Sequence, residues 1–250
     1  MKTYIVGDIH GCVVTLNNLL DLINFSYSED KLFCTGDLID RGNFSTDALQ
    51  LFQGPWKSVR GNHDDKFLRW LKGNNVNISE HDGNYGSHYQ IKNSPRKDFY
   101  INILESLPLV LHPTKDTTIV HAGFYPWQNH LEFEEVFDKK KKVVMYIRHC
   151  SIDVEYTKED EEKNDKNMFF DESIPMWYDL YKEREYGGTV FFGHQPMKEP
   201  LIVESKTRII GLDTGACFGN KLTCYCLETD QFYSVNTLKD DLDERSIREL

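Results

Sequence analysis

Apolar and polar positions alternate along the first third of the chain in blocks that predict strand and helix in turn. Residues 4–6 are an apolar run that predicts a buried strand, and apolar side chains between 13 and 23 recur at helical spacing. A second strand is predicted at 31–35. The helix that follows, from Ser45 to about residue 52, would be capped by Ser45 or Thr46.

The same pattern occurs a third time, with a strand predicted at 57–60 and a helix through Phe67 and Leu71. Three repeats of strand, loop and helix are typical of parallel βαβ units and predict an α/β fold. A further helix, which Pro108 would stop, is predicted at 98–107. More strands are predicted at residues 117–120, 189–192, 208–212, 222–227 and 231–235.

Two stretches lack this regularity. Residues 73–90 are rich in Asn, Gly, His and Ser and predict a loop, of which 85–88 would lie at the rim of a site. Residues 132–175 are highly charged, and the charge runs at 139–142 and 158–166 within them predict solvated helix faces or mobile loops. No internal repeat or low-complexity linker divides the chain. We therefore expect one domain over residues 1–236 and a charged tail over 237–250.

The composition narrows the class of protein. Of the 250 residues, 40% are hydrophobic and 28% charged, as in ordinary globular domains. The net charge of −11 argues against a general nucleic-acid-binding surface but does not exclude anionic substrates at a local positive site. No apolar run approaches the roughly 20 residues of a membrane helix, and the first residues lack the apolar core of a signal peptide. We expect a cytoplasmic protein, with no membrane partner, whose six cysteines are reduced.

Polar side chains follow the ends of five predicted strands, and carboxylate, amide and imidazole groups all bind divalent metals. In parallel sheets such strand ends lie at one edge, where ligands collect. Taken singly, an acidic residue here is more often a turn former, and a histidine more often structural. Together they predict two metals that share one carboxylate. The residues are Asp8, His10, Asp37, Asp40, Asn62, His63, His121 and His194.

The ordered motifs GDIHG, GDLIDRG, GNHD, HAG and GH resemble those of the phosphoprotein phosphatase family of metallophosphoesterases. They run from residue 7 to residue 194, and a Leu-Asp-Thr-Gly segment extends the match to about residue 226. The resemblance implies a calcineurin-like sandwich of two mixed β-sheets flanked by helices. It also implies a dinuclear site in which a hydroxide bridging the metals attacks the phosphate ester in line.

The resemblance assigns roles to individual residues. His63 would be the general acid, which Asp40 orients, and Arg41, Arg60 and Arg148 would bind the phosphate. For Arg60 the alternative is a structural ion pair with a nearby carboxylate. The metals would be two divalent ions, Mn(II) by resemblance, with Fe, Zn or Co compatible with the same donors. The implied ligands are Asp8, His10, Asp37, Asn62, His121 and His194, with Asp37 as the bridge.

The motifs define the reaction class and leave the substrate open. Asp64 stands where many protein phosphatases have Glu and where symmetrical diadenosine tetraphosphatases commonly have Asp. The segment around Asp213 also resembles that of the tetraphosphatases. The presence of Asp40 and the chain length resemble bacterial and phage Ser/Thr protein phosphatases instead. We expect a phosphorylated protein as substrate, with a dinucleoside polyphosphate or a capped RNA end as the alternative. An inactive phosphate-binding relative would have lost a ligand or the acid, and none is missing here.

Overall fold

A computed structural model describes residues 1–74, 90–92, 94–133, 141–150 and 173–242 of the chain. Most of the predicted 73–90 loop, with its 85–88 rim segment, lies outside these described residues. So do much of the charged 132–175 stretch and residues 243–250 of the predicted tail.

The described strands and helices follow the alternation predicted from the sequence. The strands are β1 Thr3–Val6, β2 Lys31–Cys34, β3 Lys57–Ser58, β4 Val110–Thr114, β5 Thr117–Val120, β6 Thr189–Phe192, β7 Leu201–Val203, β8 Arg208–Gly211, β9 Lys221–Cys226 and β10 Gln231–Asn236. The helices are α1 Val13–Leu22, α2 Ser45–Leu51, α3 Asn62–Leu71, α4 Lys97–Ser106, α5 Lys141–Tyr146 and α6 Trp177–Tyr181, with short 3-10 turns at Ala216–Phe218 and Lys239–Asp241.

The strands form two mixed sheets of five strands each. The first sheet has the order β10-β9-β1-β2-β3, and the second has the order β4-β5-β6-β8-β7. β1, β2 and β3 are parallel, as are β5, β6 and β8, whereas the strands at the other positions pair antiparallel. The α/β sandwich of two mixed sheets flanked by helices, implied by the family resemblance, is therefore confirmed.

Side chains alternate between two cores along the central strands, because successive residues of a strand point to opposite faces. In β1, Tyr4 and Val6 pack with the helices on the outside of the first sheet, whereas Ile5 lies in a separate core with Phe191 and Ile210 of the second sheet. This inner core holds the two sheets face to face. It thereby brings the carboxyl ends of β1 and β2 beside those of β5 and β6.

Two edge strands and one helix cap differ from what the sequence pattern predicts. β4 and β7 were not predicted: β7 has only three residues, and β4 includes Pro113, a residue typical of turns and sheet edges. The predicted cap of α2 is wrong, because Ser45 is the first helical residue and Phe44 precedes it. The Ser45 hydroxyl instead accepts a hydrogen bond from the backbone N–H of Asp40, at 3.2 Å.

The described start of the predicted tail packs against the sandwich. Asp241 is buried, and its carboxylate accepts the backbone N–H groups of Val14 and Thr15 at 2.9 and 2.6 Å, which caps the start of α1. The predicted division between domain and tail at residue 237 stays a prediction.

The six cysteines are buried free thiols, as predicted. Among the described ranges, no helix has the length and apolar character of a membrane span.

Candidate metal centre

The turns after β1, β2, β5 and β6, together with the start of α3, meet at one end of the sandwich. Each turn follows its strand within a few residues, so the side chains point out of the sheet edge rather than into the core. The structure brings together all six predicted ligands: Asp8, His10, Asp37, Asn62, His121 and His194.

Asp37 occupies the middle of this cluster. Its Oδ2 lies 3.5 Å from His10 Nε2 on one side and 3.4 Å from His121 Nε2 on the other. Its Oδ1 accepts the backbone N–H of His63 at 2.9 Å. Potential ligand atoms of His10, Asp37 and His63 lie within 4.8 Å of one another, as do those of Asp8, Asp37 and His121. A carboxylate shared by two such groups has the position that a bridging ligand needs.

Asn62 joins the two sheets at the second metal position. Its Oδ1 lies 2.9 Å from His121 Nε2 and 2.9 Å from His194 Nδ1. The amide comes from the first residue of α3, on the side of the first sheet, whereas both imidazoles come from the second sheet. One cation could contact all three groups.

Backbone carbonyls orient two of the imidazoles. The Nδ1–H of His10 donates to the carbonyl of Ile39 at 2.8 Å, and the Nδ1–H of His121 donates to the carbonyl of Thr35 at 2.9 Å. In both rings the Nε2 lone pair therefore points into the cluster, which is the usual arrangement around a metal-bound histidine. Asp8 is also anchored, by the Thr35 hydroxyl at 2.8 Å and the backbone N–H of His194 at 2.9 Å.

Two glycines are required by the close approach of the carboxylates. A Cβ at Gly61 would overlap Oδ1 of Asp37, and a Cβ at Gly193 would overlap Oδ1 of Asp8. The glycines of the GNHD and GH motifs therefore make room for the acidic ligands of other turns, which explains why those motifs begin with the smallest residue.

The turns at the centre hold an unusual number of strained residues. Positive φ angles occur at His10 (45°), Asp37 (48°), Asp40 (72°), Arg41 (69°) and His194 (67°). Each such conformation costs on the order of 1–3 kcal/mol and persists where the surroundings hold it in place. The backbone is thus bent to aim these side chains.

Burial and repulsion shape the electrostatics of the cluster. Burial raises the pKa of Asp8 and Asp37, and their neighbouring acidic groups, including Asp213, raise it further. Burial lowers the pKa of His121 to about 4 and lowers that of His194 as well. Neutral imidazoles and crowded carboxylates are the donor set that divalent cations neutralise, so the residues present fit two metals.

The predicted acid–base pair lies beside the first metal position. Nδ1–H of His63 donates to Oδ2 of Asp40 at 2.9 Å, and Asp40 is fully buried. A guanidinium nitrogen of Arg41 lies 3.3 Å from His63 Nε2, and the same guanidinium stacks over Phe218, 4.8 Å from its ring centroid. His63 is therefore held through Nδ1 by Asp40, with Nε2 beside the guanidinium of Arg41.

The other two predicted phosphate-binding arginines differ in position. Arg148 reaches the centre, with Nε 3.4 Å from His194 Nε2. Arg60 donates to the carbonyl of Glu105 at 2.8 Å and lies 3.7 Å from Asp65. These contacts are the structural ion pair that the sequence left as the alternative, and a phosphate-binding role for Arg60 stays a prediction.

Two contributors to the centre were not identified as such from the sequence. Thr35, the last residue before GDLIDRG, holds both Asp8 and His121. Asp64 accepts the backbone N–H groups of Leu38 and Gly61 at 3.1 and 3.0 Å, so it ties the second motif to the third. The Asp213 carboxylate accepts the backbone N–H of Gly215 at 3.0 Å.

Two mixed sheets with a carboxylate–imidazole cluster at their common end define the class of metallophosphoesterases. The family model of calcineurin-like phosphoesterases matches residues 1–206, and the chain belongs to this family. It is accordingly a phosphoric ester hydrolase of a family that depends on divalent metals.

The chain is similar over most of its length to curated relatives. It is 29% identical over 253 residues to an asymmetrical bis(5'-nucleosyl)-tetraphosphatase PrpE of Oceanobacillus iheyensis, covering 94% of this chain and 92% of that protein. A relative of the same name from Bacillus cereus is 29% identical over 247 residues, with 89% of each chain covered.

Solved structures show the same fold. One described as a candidate diadenosine tetraphosphatase has a TM-score of 0.70 and 26% identity, covering 95% of this chain and 94% of that one. A Saccharomyces cerevisiae protein serine/threonine phosphatase similar to human PP5 has a TM-score of 0.59 and 13% identity, with coverage of 98% and 83%.

Proposed function

We propose that this chain is a dinuclear-metal phosphoesterase that hydrolyses dinucleoside polyphosphates, with a bis(5'-nucleosyl) tetraphosphate as its substrate. The observation that carries the reaction class is the position of Asp37 between His10 and His121, with Asn62 and His194 beside it. The substrate rests on relatives named for tetraphosphatase activity along almost the whole chain. These relatives reverse the order of preference drawn from the sequence, where a protein phosphatase came first.

The chain's own residues would bind two divalent ions. One ion would be held by Asp8, His10 and Asp37. The other would be held by Asp37, Asn62, His121 and His194. Such a pair supplies a water of lowered pKa and neutralises phosphoryl oxygens. We favour Mn(II), because carboxylate, amide and imidazole donors suit it, and the same donors also accept Fe, Zn or Co.

The acid–base chemistry would belong to His63 and Asp40. Hydrolysis of a phosphoanhydride expels a phosphate oxygen that gains a proton when it leaves. His63, held through Nδ1 by Asp40, would supply that proton from Nε2 when the imidazole is protonated. The buried carboxylate would stabilise the protonated imidazole before the transfer. Arg41 and Arg148, whose guanidinium groups can each bind two phosphate oxygens at once, would orient the phosphate under attack.

A direct comparison of three substrates tests the proposal. With Mn(II), we expect the kcat/KM for diadenosine tetraphosphate to be at least roughly 100-fold above that for a Ser/Thr phosphopeptide. Of the two, only diadenosine tetraphosphate belongs to the substrate class for which the relatives are named. An aryl phosphate serves as the reference for the metal centre itself. Efficient phosphopeptide hydrolysis with little cleavage of the dinucleotide would overturn the substrate.

A Ser/Thr protein phosphatase is the second candidate function. The His63–Asp40 pair favours it, since the family resemblance associates this acidic partner with protein phosphatases. The three-substrate comparison separates the two functions, because both use the same metal centre and acid and differ in what must bind beside the attacked phosphate.

A further inference from the structure

One polar cluster outside the metal centre is not used by the chemistry described above. On α3, Asp65 and Arg69 are one helical turn apart, and Nε of Arg69 donates to Oδ2 of Asp65 at 2.8 Å. Arg69 also donates through a terminal nitrogen to the hydroxyl of Tyr146, at 3.3 Å. An exposed ion pair at this spacing is common on helices and contributes little by itself. The link to Tyr146 makes this one different.

Tyr146 connects the cluster to the metal centre. Its ring packs edge-on against the imidazole of His194, with 6.5 Å between ring centroids. Arg69 therefore lies one aromatic ring away from a predicted metal ligand, although its own side chain is 42% exposed. The Tyr146 hydroxyl accepts the hydrogen bond from Arg69 and keeps its own O–H to donate to an anion.

The cluster carries an excess of positive charge. Asp65 is shared by two arginines, since Arg60 lies 3.7 Å from its Oδ1 and Arg69 binds its Oδ2. These three side chains together carry one net positive charge. On a chain with a net charge of −11, such a site next to the metal centre favours an anion over the surrounding surface.

We infer that Arg69 and the Tyr146 hydroxyl form a subsite for the phosphate groups of the substrate that lie beyond the one attacked. The inference rests on the proposed function, because a monophosphate ester has no such groups. A guanidinium has five N–H donors, of which Nε and one terminal N–H are used in the contacts above, so it retains donors for phosphate oxygens. Its planar fork binds two oxygens of one phosphate, which a lysine would not do.

The subsite would act on polyphosphates more than on simple esters. A diadenosine tetraphosphate bound with one phosphorus at the metals must extend its remaining phosphates over the rim. Next to His194, the hydroxyl of Tyr146 is a neutral hydrogen-bond donor, and the guanidinium of Arg69 beyond it is a cation. Binding there would hold the polyphosphate chain in line with the attacked bond.

The test compares substrate preference in Arg69→Gln and Tyr146→Phe with that of a matched arginine variant. We expect Arg69→Gln to lower the ratio of kcat/KM for diadenosine tetraphosphate to that for an aryl phosphate by roughly 10- to 100-fold, as for a lost charge-assisted hydrogen bond. Tyr146→Phe keeps the ring against His194 and should lower the ratio by less. Arg96→Gln removes an equal charge from an exposed arginine at the start of α4 and should leave the ratio unchanged.

A second measurement does not depend on the dinucleotide being the substrate. Inorganic tripolyphosphate and orthophosphate are compared as inhibitors of aryl phosphate hydrolysis, with Mn(II) held in excess over both. In Arg69→Gln, inhibition by tripolyphosphate should weaken roughly tenfold or more relative to inhibition by orthophosphate. A wild-type enzyme that does not cleave the dinucleotide but shows this difference would overturn the proposed substrate and keep the subsite. An unchanged inhibitor ratio, or an equal loss in Arg96→Gln, would overturn the subsite.

Discussion

The two halves of the metal centre are built in different ways. The first half contains His10 with the His63–Asp40 pair, and all of it comes from turns and a helix of the first sheet. The second half contains Asn62 with His121 and His194, and it exists only where the two sheets meet. Asp37 lies between the halves and contacts both.

The halves also differ in what holds them. In the first half, strained residues are fixed by the backbone of adjoining turns of the same sheet: Gly42 donates to the carbonyl of His10 at 2.9 Å, and the backbone N–H of His10 donates to the carbonyl of Asp37 at 2.8 Å. The second half depends on the inner core of residues such as Ile210, which sets the distance between the sheets. The first half is thus a local construction, and the second is a product of sheet packing. Each prediction below acts on one half, or on what they share.

Asp37→Asn should have the largest effect, because it removes the shared carboxylate charge from both halves. We expect kcat with Mn(II) to fall by more than roughly 100-fold and the bound metal, measured by elemental analysis, to drop for both sites. Asp116→Asn, an exposed aspartate in a turn, is the control. Full turnover with two metals bound would contradict the bridging role.

His63→Ala should remove the general acid of the first half without removing its bound metal. We expect losses of roughly 10²- to 10⁴-fold on an alkyl phosphate such as a phosphoserine ester, whose alkoxide leaving group needs a proton, and a much smaller loss on an aryl phosphate, whose leaving group needs none. Metal content should stay at the wild-type level. Equal losses on both kinds of substrate would remove the general-acid role and leave His63 as a structural residue or a ligand.

The response of stability to metal should depend on pH. Because Asp8 and Asp37 have pKa values raised above the ordinary 3.8, the contribution of these two carboxylates to the stability of the metal-free fold falls as pH rises from about 4 through those raised values. Bound cations favour the charged carboxylates and cancel this loss. The lowered pKa of His121, about 4, keeps its imidazole neutral in both forms.

We therefore expect the rise in Tm caused by Mn(II) to increase from about pH 5 to about pH 8. At pH 8, with free Mn(II) at roughly 100 to 1,000 times its Kd, the stabilisation should be roughly 3–4 kcal/mol. Calorimetry of the metal-free and reconstituted protein measures it, and Asp37→Asn should flatten the trend. A metal-induced rise that is constant over this range would contradict the link between these carboxylates and the cations.

Asp241→Ala should destabilise the first half indirectly, because Asp241 lies outside the metal centre and contacts the segments next to it. Its carboxylate caps α1 through Val14 and Thr15, and its carbonyl holds Asn43, directly after the loop that carries Arg41. We expect a loss of about 0.5–2 kcal/mol in unfolding free energy, measured by urea denaturation, with a few-fold drop in kcat. The neighbouring Asp240→Ala is the control. If activity were unchanged at equal destabilisation, the segment would serve stability alone.

Ile210→Val should have the smallest effect, confined to the second half. Ile210 lies in the core between the sheets, whereas its neighbour Ile209 packs on the outer side of the same strand, and both are fully buried. Each Ile→Val change should cost about 0.5–1.5 kcal/mol of stability. Only Ile210→Val should weaken binding of the second metal in titration calorimetry. Equal weakening in both variants would show that the second half does not depend on sheet separation.

The sequence by itself determined most of the elements and the set of candidate ligands. Apolar runs followed by Gly-Asp, Gly-Asn or His-Ala-Gly turns are local patterns, and parallel strands place such turns at a common edge whatever else the chain does. Asp8, His10, Asp37, His121 and His194 could therefore be assigned to one place before the structure was known. The ends of the helices and the two edge strands were harder to predict. Short edge segments such as β7 bury too few side chains to leave a clear apolar pattern in the sequence.

Only the tertiary structure decided how those residues are divided and supported. It assigned the ligands to two sheets, turned Arg60 towards Glu105 and Asp65, and brought Asp241 back to α1 from more than 220 residues along the chain. It also placed Tyr146 between Arg69 and His194. Such contacts join side chains that are distant in sequence, and their energies depend on sheet packing and burial rather than on local spacing. A motif can therefore name candidate metal ligands, whereas the groups proposed here to bind the rest of a substrate become visible only in the folded chain.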